Sequence, residues 1–362
     1  MKYLLIDGNN LACRCAFANQ ELTSHDGTST SVHYGFLNSL IALKEQYTNY
    51  QFLIVWDGKS KRRIREASAA VEQRLIASGY KENRDKENMP QPLLDFHIQS
   101  PYLKKGLYQT GIPQIRLEDF EADDVIASYC KFLKDHYVVI VTSDKDYFQL
   151  LDSHVEMWDG MKQKLFTADV FKKEYGIEPL QHVDCGALMG DSGDNIFGVP
   201  GWGEKTALEA IQKHGTWQAV IEHLKGLYSD ARKEYPDVIG DDFERLRNIR
   251  TDKEEERFKK GEEWKGKYPE ITPTMPFSGV ALAFEEKRWK APKELKKGLK
   301  NNLLALMLEE RVKLAYSLKK MDCDIENLPA VKQGQFNKER LIEYLDYYNI
   351  ESIRDSIEIF GH

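Results

Sequence analysis

The sequence predicts an α/β protein with a central, mainly parallel sheet flanked by helices, joined to a helical region and a helical C-terminal part. Three observations carry the prediction. Residues 2–7 (KYLLID), 51–57 (QFLIVWD) and 137–144 (YVVIVTSD) are short, largely apolar runs without alternation, as expected of strands buried on both faces. Helical patterns at residues 9–17, 32–45, 93–108 and 122–134 separate them, and the connections are too long for hairpins. Each strand run also ends in aspartate, at Asp7, Asp57 and Asp144. In an open parallel sheet the carboxyl ends of the strands form the ligand crevice, so these three acids are expected to converge.

Along the chain, the core is expected to occupy residues 1–190, with a basic arch-like segment inserted at 59–110. Residues 167–190 read as two more helices, and a glycine-rich turn at 198–203 within a 191–225 region separates two helical stretches. From 226 to 300 the composition turns to dense mixed charge, six acids and six bases between 251 and 267, as on a solvated helix face. An apolar helical pattern resumes at Leu303 within a 301–362 segment and is expected to reach Ile359, broken only at Pro329.

Composition narrows the class. At 362 residues, 41% hydrophobic and 30% charged, the chain is neither disordered nor fibrous. The run at residues 3–6 is far too short for a signal segment, and no stretch approaches the roughly 20 apolar residues of a membrane span, so a soluble cytoplasmic protein without a membrane partner is expected. Five cysteines, Cys13, Cys15, Cys130, Cys185 and Cys323, are odd in number and lie in apolar patterns, which points to reduced thiols; His182 and Cys185 read as helix packing.

The acids are distributed unusually. Beside Asp7, Asp57 and Asp144 stand Asp146, the helix-opening Glu121, Asp123 and Asp124, and the pair Asp191 and Asp194, which one helical turn would present to the same side. A single aspartate at a strand–helix junction is an ordinary cap, but nine carboxylates at so few points would repel one another without cations. Oxygen-only ligands suit hard octahedral ions, Mg²⁺ with Mn²⁺ able to substitute, and the surplus of carboxylates suggests two ions. Removing these nine acids turns the formal charge from −7 to +2, so the acidic total does not argue against a DNA partner.

Two segments point to phosphate. Residues 59–86 carry nine basic and four acidic residues, among them Arg62, Arg63, Tyr80, Lys81 and Arg84, as a nucleic-acid guide with a stacking aromatic would. Gly198, Gly201 and Gly203, followed by a helix with Lys205 in its first turn, match the hairpin of a helix-hairpin-helix, which grips a backbone without reading sequence.

The motifs Leu5-Ile6-Asp7-Gly8-Asn9-Asn10-Leu11, Trp56-Asp57-Gly58-Lys59, Tyr80-Lys81 to Arg84, Gly111-Ile112-Pro113, Glu121 to Asp124, Thr142-Ser143-Asp144-Lys145-Asp146 and Met189-Gly190-Asp191-Ser192-Gly193-Asp194-Asn195 run into residues 198–207. Together they resemble the 5′ nuclease family of polymerase-associated 5′-3′ exonuclease domains, phage 5′ exonucleases and RNase H, and flap endonucleases, with order and spacing agreeing to about residue 220. The tail KLAYSLKKMDCD at 313–324 resembles the segment that closes the polymerase-associated members, although Cys323 and Asp324 depart from its pattern.

The resemblance implies a PIN-like core and metal-dependent hydrolysis near the 5′ end of branched, nicked or flapped DNA, or of RNA-primed DNA, in replication or repair. It implies that Asp7, Asp57, Glu121 and Asp123, with Asp124 in or near their shell, hold one Mg²⁺, and that Asp144, Asp146, Asp191 and Asp194 hold or orient a second. Arg14 and Lys81 then contact the scissile phosphate, a base stacks on Tyr80, and Arg84 and Lys205 hold backbone phosphates. A single-strand-binding protein or a sliding clamp is a candidate partner with no motif of its own. The competing readings are a non-catalytic binder of DNA junctions and a PIN-type ribonuclease.

Overall fold

The computed structural model describes residues 1–18, 22–24, 27–73, 75–76, 78–83, 88–199, 201–234 and 309–361. The charged stretch at 235–300, Arg74 and Arg84 therefore lie outside the described residues. The chain divides into two units, one built from residues 1–60, 85–171 and 321–362, the other from 61–84 and 172–320.

The first unit is organised by a six-stranded sheet of β1 (Lys2–Asp7), β2 (Gln51–Trp56), β3 (Gln114–Arg116), β4 (Tyr137–Val141), β5 (Val155–Asp159) and β6 (Lys164–Phe166). The spatial order is β3-β2-β1-β4-β5-β6, parallel throughout except for the β5–β6 pair. The three strands expected from sequence are the central three, and all but their first residues are buried. Burial on both faces explains their unbroken apolar runs. Strand order reverses at β1, with β2 on one side and β4 on the other, so the carboxyl ends of these strands adjoin at a topological switch point.

Helices α1 (Gly8–Ala18) and α2 (Ser31–Gln46) follow β1. The basic segment after β2 does not fold as one piece: α3 (Lys61–Glu72) belongs to the second unit and α4 (Gln91–Leu107) to the first. After β3 comes α5 (Ala122–Phe132), whose first turn holds Asp123 and Asp124, favourable against the positive end of the helix dipole.

Residues 168–234 supply α6 (Ala168–Tyr175), α7 (His182–Met189), a two-residue hairpin of β7 (Gly190–Asp191) and β8 (Ile196–Phe197), α8 (Glu204–His214) and α9 (Trp217–Glu234). The C-terminal part is not one broken helix. Helix α10 (Glu309–Lys319) packs in the second unit against α7, α3 and β8, whereas residues 321–337 run without helix before α11 (Lys338–Tyr347).

Residues 321–361 complete the first unit. Leu341, Leu345, Ile350, Ile353, Ile357 and Phe360 share one buried cluster with Leu4, Ile6, Phe36, Ile54 and Trp56. Backbone and side-chain bonds pin the extended stretch: Gly334 N to Gly111 O, Gln333 Nε2 to Phe52 O and Tyr129 Oη to Pro329 O. All five cysteines are free thiols, and His182 and Cys185 are buried in packing, as the sequence suggests. No described helix is long and apolar enough to cross a membrane.

Candidate active site

Within the first unit, the strand ends are tied together by the residues directly after β1. Gly8 allows α1 to begin hard against the sheet, because a Cβ there would sit 2.7 Å from the Trp56 ring. Asn9 Oδ1 then accepts the Asp57 amide at the end of β2, at 3.2 Å, and Asn10 Oδ1 accepts the Ser143 amide after β4, at 3.1 Å. Two asparagines thus fix three strand ends, and with them Asp7, Asp57 and Asp144.

Asp7 is buried, with Oδ1 accepting the Asn10 amide (3.0 Å) and Oδ2 accepting the hydroxyls of Tyr147 (3.1 Å) and Thr142 (3.4 Å). Asp57 Oδ1 accepts the Ala122 amide at 2.8 Å, which places it at the N-terminus of α5, and Asp144 Oδ1 accepts the Asp146 amide at 2.8 Å. Burial and then the nearby charge of Asp57, with a smaller push from Asp144, drive the Asp7 carboxyl up to about 8 despite its hydrogen bonds from Asn10 and Tyr147. Tyr147 is raised well above the usual phenol range, first by burial and then by Asp7, Asp123, Asp144 and Asp57. Four carboxylates from three strand ends and one helix start therefore act on one buried phenol.

Asp124 departs from the expectation. It faces a different neighbourhood: 1% exposed, it accepts the Asp322 amide at 2.7 Å, and its charge is felt by Cys323. It fastens the 321–325 stretch to α5, together with Ser128, whose hydroxyl donates to Asp322 O. Adjacent helical positions lie about 100° apart, so Asp123 and Asp124 leave α5 in different directions. Glu121 is the N-cap residue of α5 and is half-buried, as is Asp146.

The second unit holds the other acid pair, in a turn rather than on a helix. Asp191 ends β7, and its Oδ1 accepts the amides of Gly193 (2.8 Å) and Asp194 (3.3 Å). Its Oδ2 lies 2.8 Å from Nζ of Lys319, and this ammonium with the two amides outweighs burial, leaving the Asp191 carboxyl below its usual range. Asp194 Oδ2 accepts the Tyr80 hydroxyl at 3.1 Å and is 3.7 Å from Lys81 Nζ. The Lys81 amide donates to Asp194 O, its φ is +58°, and its ammonium lies 4.8 Å from the Tyr80 ring centre. Asn195 donates to Ser78 and Gly79, and Asn83 to Ser192 O, so residues 78–83 are seated on the 191–195 turn.

Arg62 and Arg63 are corrected. Arg62 donates to the carbonyls of Ser317 (2.7 Å) and Lys320 (2.8 Å), and Arg63 is 2% exposed beneath the Tyr80 ring. Both secure α3 in the second unit, Arg63 buried and Arg62 partly exposed. Between α7 and α8, Gly198 packs on the backbone of Gly190 and Met189, and Gly201 has φ +82°. Gly203 is the N-cap of α8, and the Lys205 side chain is 90% exposed; Pro200 lies outside the described residues. In the first unit, Arg14 is half-buried on α1, with Nε buried and lacking a hydrogen-bond partner.

The donor set fits a hard cation. It is composed of carboxylate oxygens, and burial followed by the charge of Asp57 raises the Asp7 carboxyl. Among the described residues, no three His, Cys, Asp or Glu side chains are gathered closely enough to grip one ion as they stand. Asp7, Asp57 and Asp144 each accept a backbone amide on one oxygen. Asn9 and Asn10 stand in the motif after β1 and Lys319 in the 313–324 tail, but the sequence reading assigned none of them a role; Tyr147, just after Asp144-Lys145-Asp146, was not singled out.

Residues 2–176 match the family model of the 5′-3′ exonuclease N-terminal resolvase-like domain, and residues 177–256 match its C-terminal SAM fold. The chain belongs to the 5′-3′ exonuclease family. The SAM-fold match continues into the charged segment that the sequence resemblance left unplaced. A 5′-3′ exonuclease of Aquifex aeolicus is 32% identical over 242 residues, covering 66% of this chain and 78% of that relative. DNA polymerase I of Caldicellulosiruptor bescii is 34% identical over 241 residues, but the chain spans only 27% of its length. The fold is shared with the catalytic core of Rad2 in complex with DNA substrate (TM-score 0.52, 18% identity, 99% of this chain and 91% of that one). It is shared also with a bacteriophage T5 5′-exonuclease carrying bound zinc (TM-score 0.51, 18% identity, 88% and 100%).

Proposed function

We propose that this 5′-3′ exonuclease family member is a Mg²⁺-dependent, structure-specific nuclease that hydrolyses a phosphodiester near the 5′ end of flapped, nicked or RNA-primed DNA. One observation carries the proposal: three adjacent parallel strands deliver Asp7, Asp57 and Asp144 to one end of the sheet, where Asp7 is raised to about 8 by burial and by its acidic neighbours. Family membership and the DNA in the Rad2 core complex lend support.

Asp7, Asp57, Glu121, Asp123, Asp144 and Asp146 of the first unit are the proposed metal ligands, and Asp191 and Asp194 of the second are the proposed ligands or orienting groups of a second ion. When bound, such ions activate water and screen the phosphate charge. The chain's own residues then have separate tasks. Tyr147 and the Asn10 amide hold the Asp7 carboxylate in one orientation, and Asn9 and Asn10 keep the strand ends in register. Arg14 and Lys81 would each offset charge on phosphoryl oxygens, and Tyr80 would offer a ring for a base. The exposed Lys205 and the amides at the start of α8 suit a backbone phosphate.

The test is cleavage of a 5′-labelled DNA flap in a Mg²⁺ titration, comparing the native protein with Asp57→Asn. Expected is Mg²⁺-dependent product from the native protein and a loss on the order of 10³-fold or more in the variant, with flap binding retained. Near-native turnover by the variant, or flap binding without any product from the native protein, would refute the proposal; the latter outcome is that of a junction-binding protein.

A further inference from the structure

One ion pair joins a buried lysine to a partly exposed acid of the 191–194 turn. Lys319, the last residue of α10, is 5% exposed, and its Nζ is 2.8 Å from Asp191 Oδ2. Its aliphatic stem passes Gly186 on α7, where a Cβ would come within 3.1 Å of Lys319 Cε. A glycine therefore leaves the channel through which the lysine reaches the acid. Both Asp191 oxygens are committed, one to Lys319 and the other to the amides of Gly193 and Asp194.

A divalent ion seeking Asp191 meets a fixed positive charge at hydrogen-bond distance. An ion ligated by Asp191 would have to share that carboxylate with the ammonium, and the two positive charges would repel. We infer that Lys319 is a positioning residue whose built-in cation fixes the Asp191 carboxylate and lowers the affinity of the Asp191–Asp194 turn for a divalent ion. The inference rests on the carboxylates being metal ligands, as proposed above. Asp191 then orients the turn through its amide bonds and does not bind an ion directly.

Mn²⁺ alone, titrated into the full chain and followed by isothermal calorimetry and by the spin-resonance signal of free Mn²⁺, reads the effect without turnover. Lys319→Met preserves the unbranched stem and removes the charge; Lys319→Gln is the second neutral variant. Either is expected to gain a Mn²⁺ site, or to tighten the weakest one on the order of tenfold or more, and the gain is expected to vanish when Asp191→Asn is added. Asp191→Asn is expected to weaken Mn²⁺ binding far less in the native protein than in either Lys319 variant. An unchanged isotherm in folded Lys319 variants, a gain that survives Asp191→Asn, or a large loss from Asp191→Asn alone would overturn the inference. If instead the native protein binds no Mn²⁺, or Asp57→Asn leaves its binding unaltered, the metal-site reading itself fails and takes this inference with it.

Discussion

Asp7→Asn should stabilise the metal-free protein, and by an amount that grows with pH. An aspartate at its ordinary 3.8 in the unfolded chain that titrates at about 8 when folded keeps its proton in the native state while losing it in the unfolded one. Between those values the native state binds the extra proton, so stability falls as pH rises, by about 1.4 kcal/mol per pH unit. The penalty is absent below pH 4, complete above pH 8, and amounts to about 6 kcal/mol. No discount for solvent screening applies, because Asp7 is buried. Asparagine removes the titration; its carbonyl still accepts the Asn10 amide, while its NH₂ must find an acceptor where Tyr147 and Thr142 had donated, at a cost of about 1 kcal/mol. The variant should therefore be slightly less stable at pH 4 and several kcal/mol more stable at pH 9. Urea unfolding with EDTA at a series of pH values checks this. Saturating Mg²⁺ should close much of the gap by stabilising only the native protein, by about 2.7 kcal/mol at a hundredfold excess over Kd. Parallel pH profiles for the two proteins would sink the argument, since they would mean that Asp7 is ionised in the native state without penalty.

Two further outcomes separate residues that look alike in the sequence. Arg62→Ala removes two hydrogen bonds to the Ser317 and Lys320 carbonyls and should lower stability by about 1–3 kcal/mol in urea titrations, leaving the salt dependence of flap binding unchanged. Lys205→Ala should do the reverse, weakening flap binding and reducing the salt slope by about one unit with no change in unfolding midpoint. Gly198→Ala should be among the most damaging substitutions in the second unit, because its Cβ would collide with the backbone of Gly190 and Met189; a loss of about 3 kcal/mol or more in thermal unfolding is expected.

What the sequence discloses follows from how each residue earns its place. The central strands were visible because burial on both faces demands unbroken apolar runs, and their terminal aspartates were visible because such charges have no packing role at a strand end. Strands β3 and β6 are three residues long, and β5 alternates buried and half-buried positions around Glu156 and Trp158, so neither length nor hydropathy marked them. Charge proved a poor guide to exposure. Arg63 is buried beneath Tyr80 and Lys319 against Asp191, and Asp124 meets the Asp322 amide one helical step from Asp123. The 191–194 pair was expected on a helical turn, but Asp191 bonds the amides of Gly193 and Asp194 and closes a turn instead, as aspartate side chains readily do.

The non-helical stretch after Met321 has a bearing on how the protein is made. The first unit keeps its sheet in the opening 171 residues, yet Leu341, Leu345, Ile357 and Phe360 fill the same core as Leu4 and Phe36, and the Asp322 amide meets the Asp124 carboxylate. A growing chain that has released β1 to β6 from the ribosome still lacks one wall of that core, and about 150 further residues must follow before residues 321–361 can close it. The acid-bearing crevice should therefore mature late, after the second unit has had time to fold, which limits how long a finished nuclease site exists on an unfinished protein.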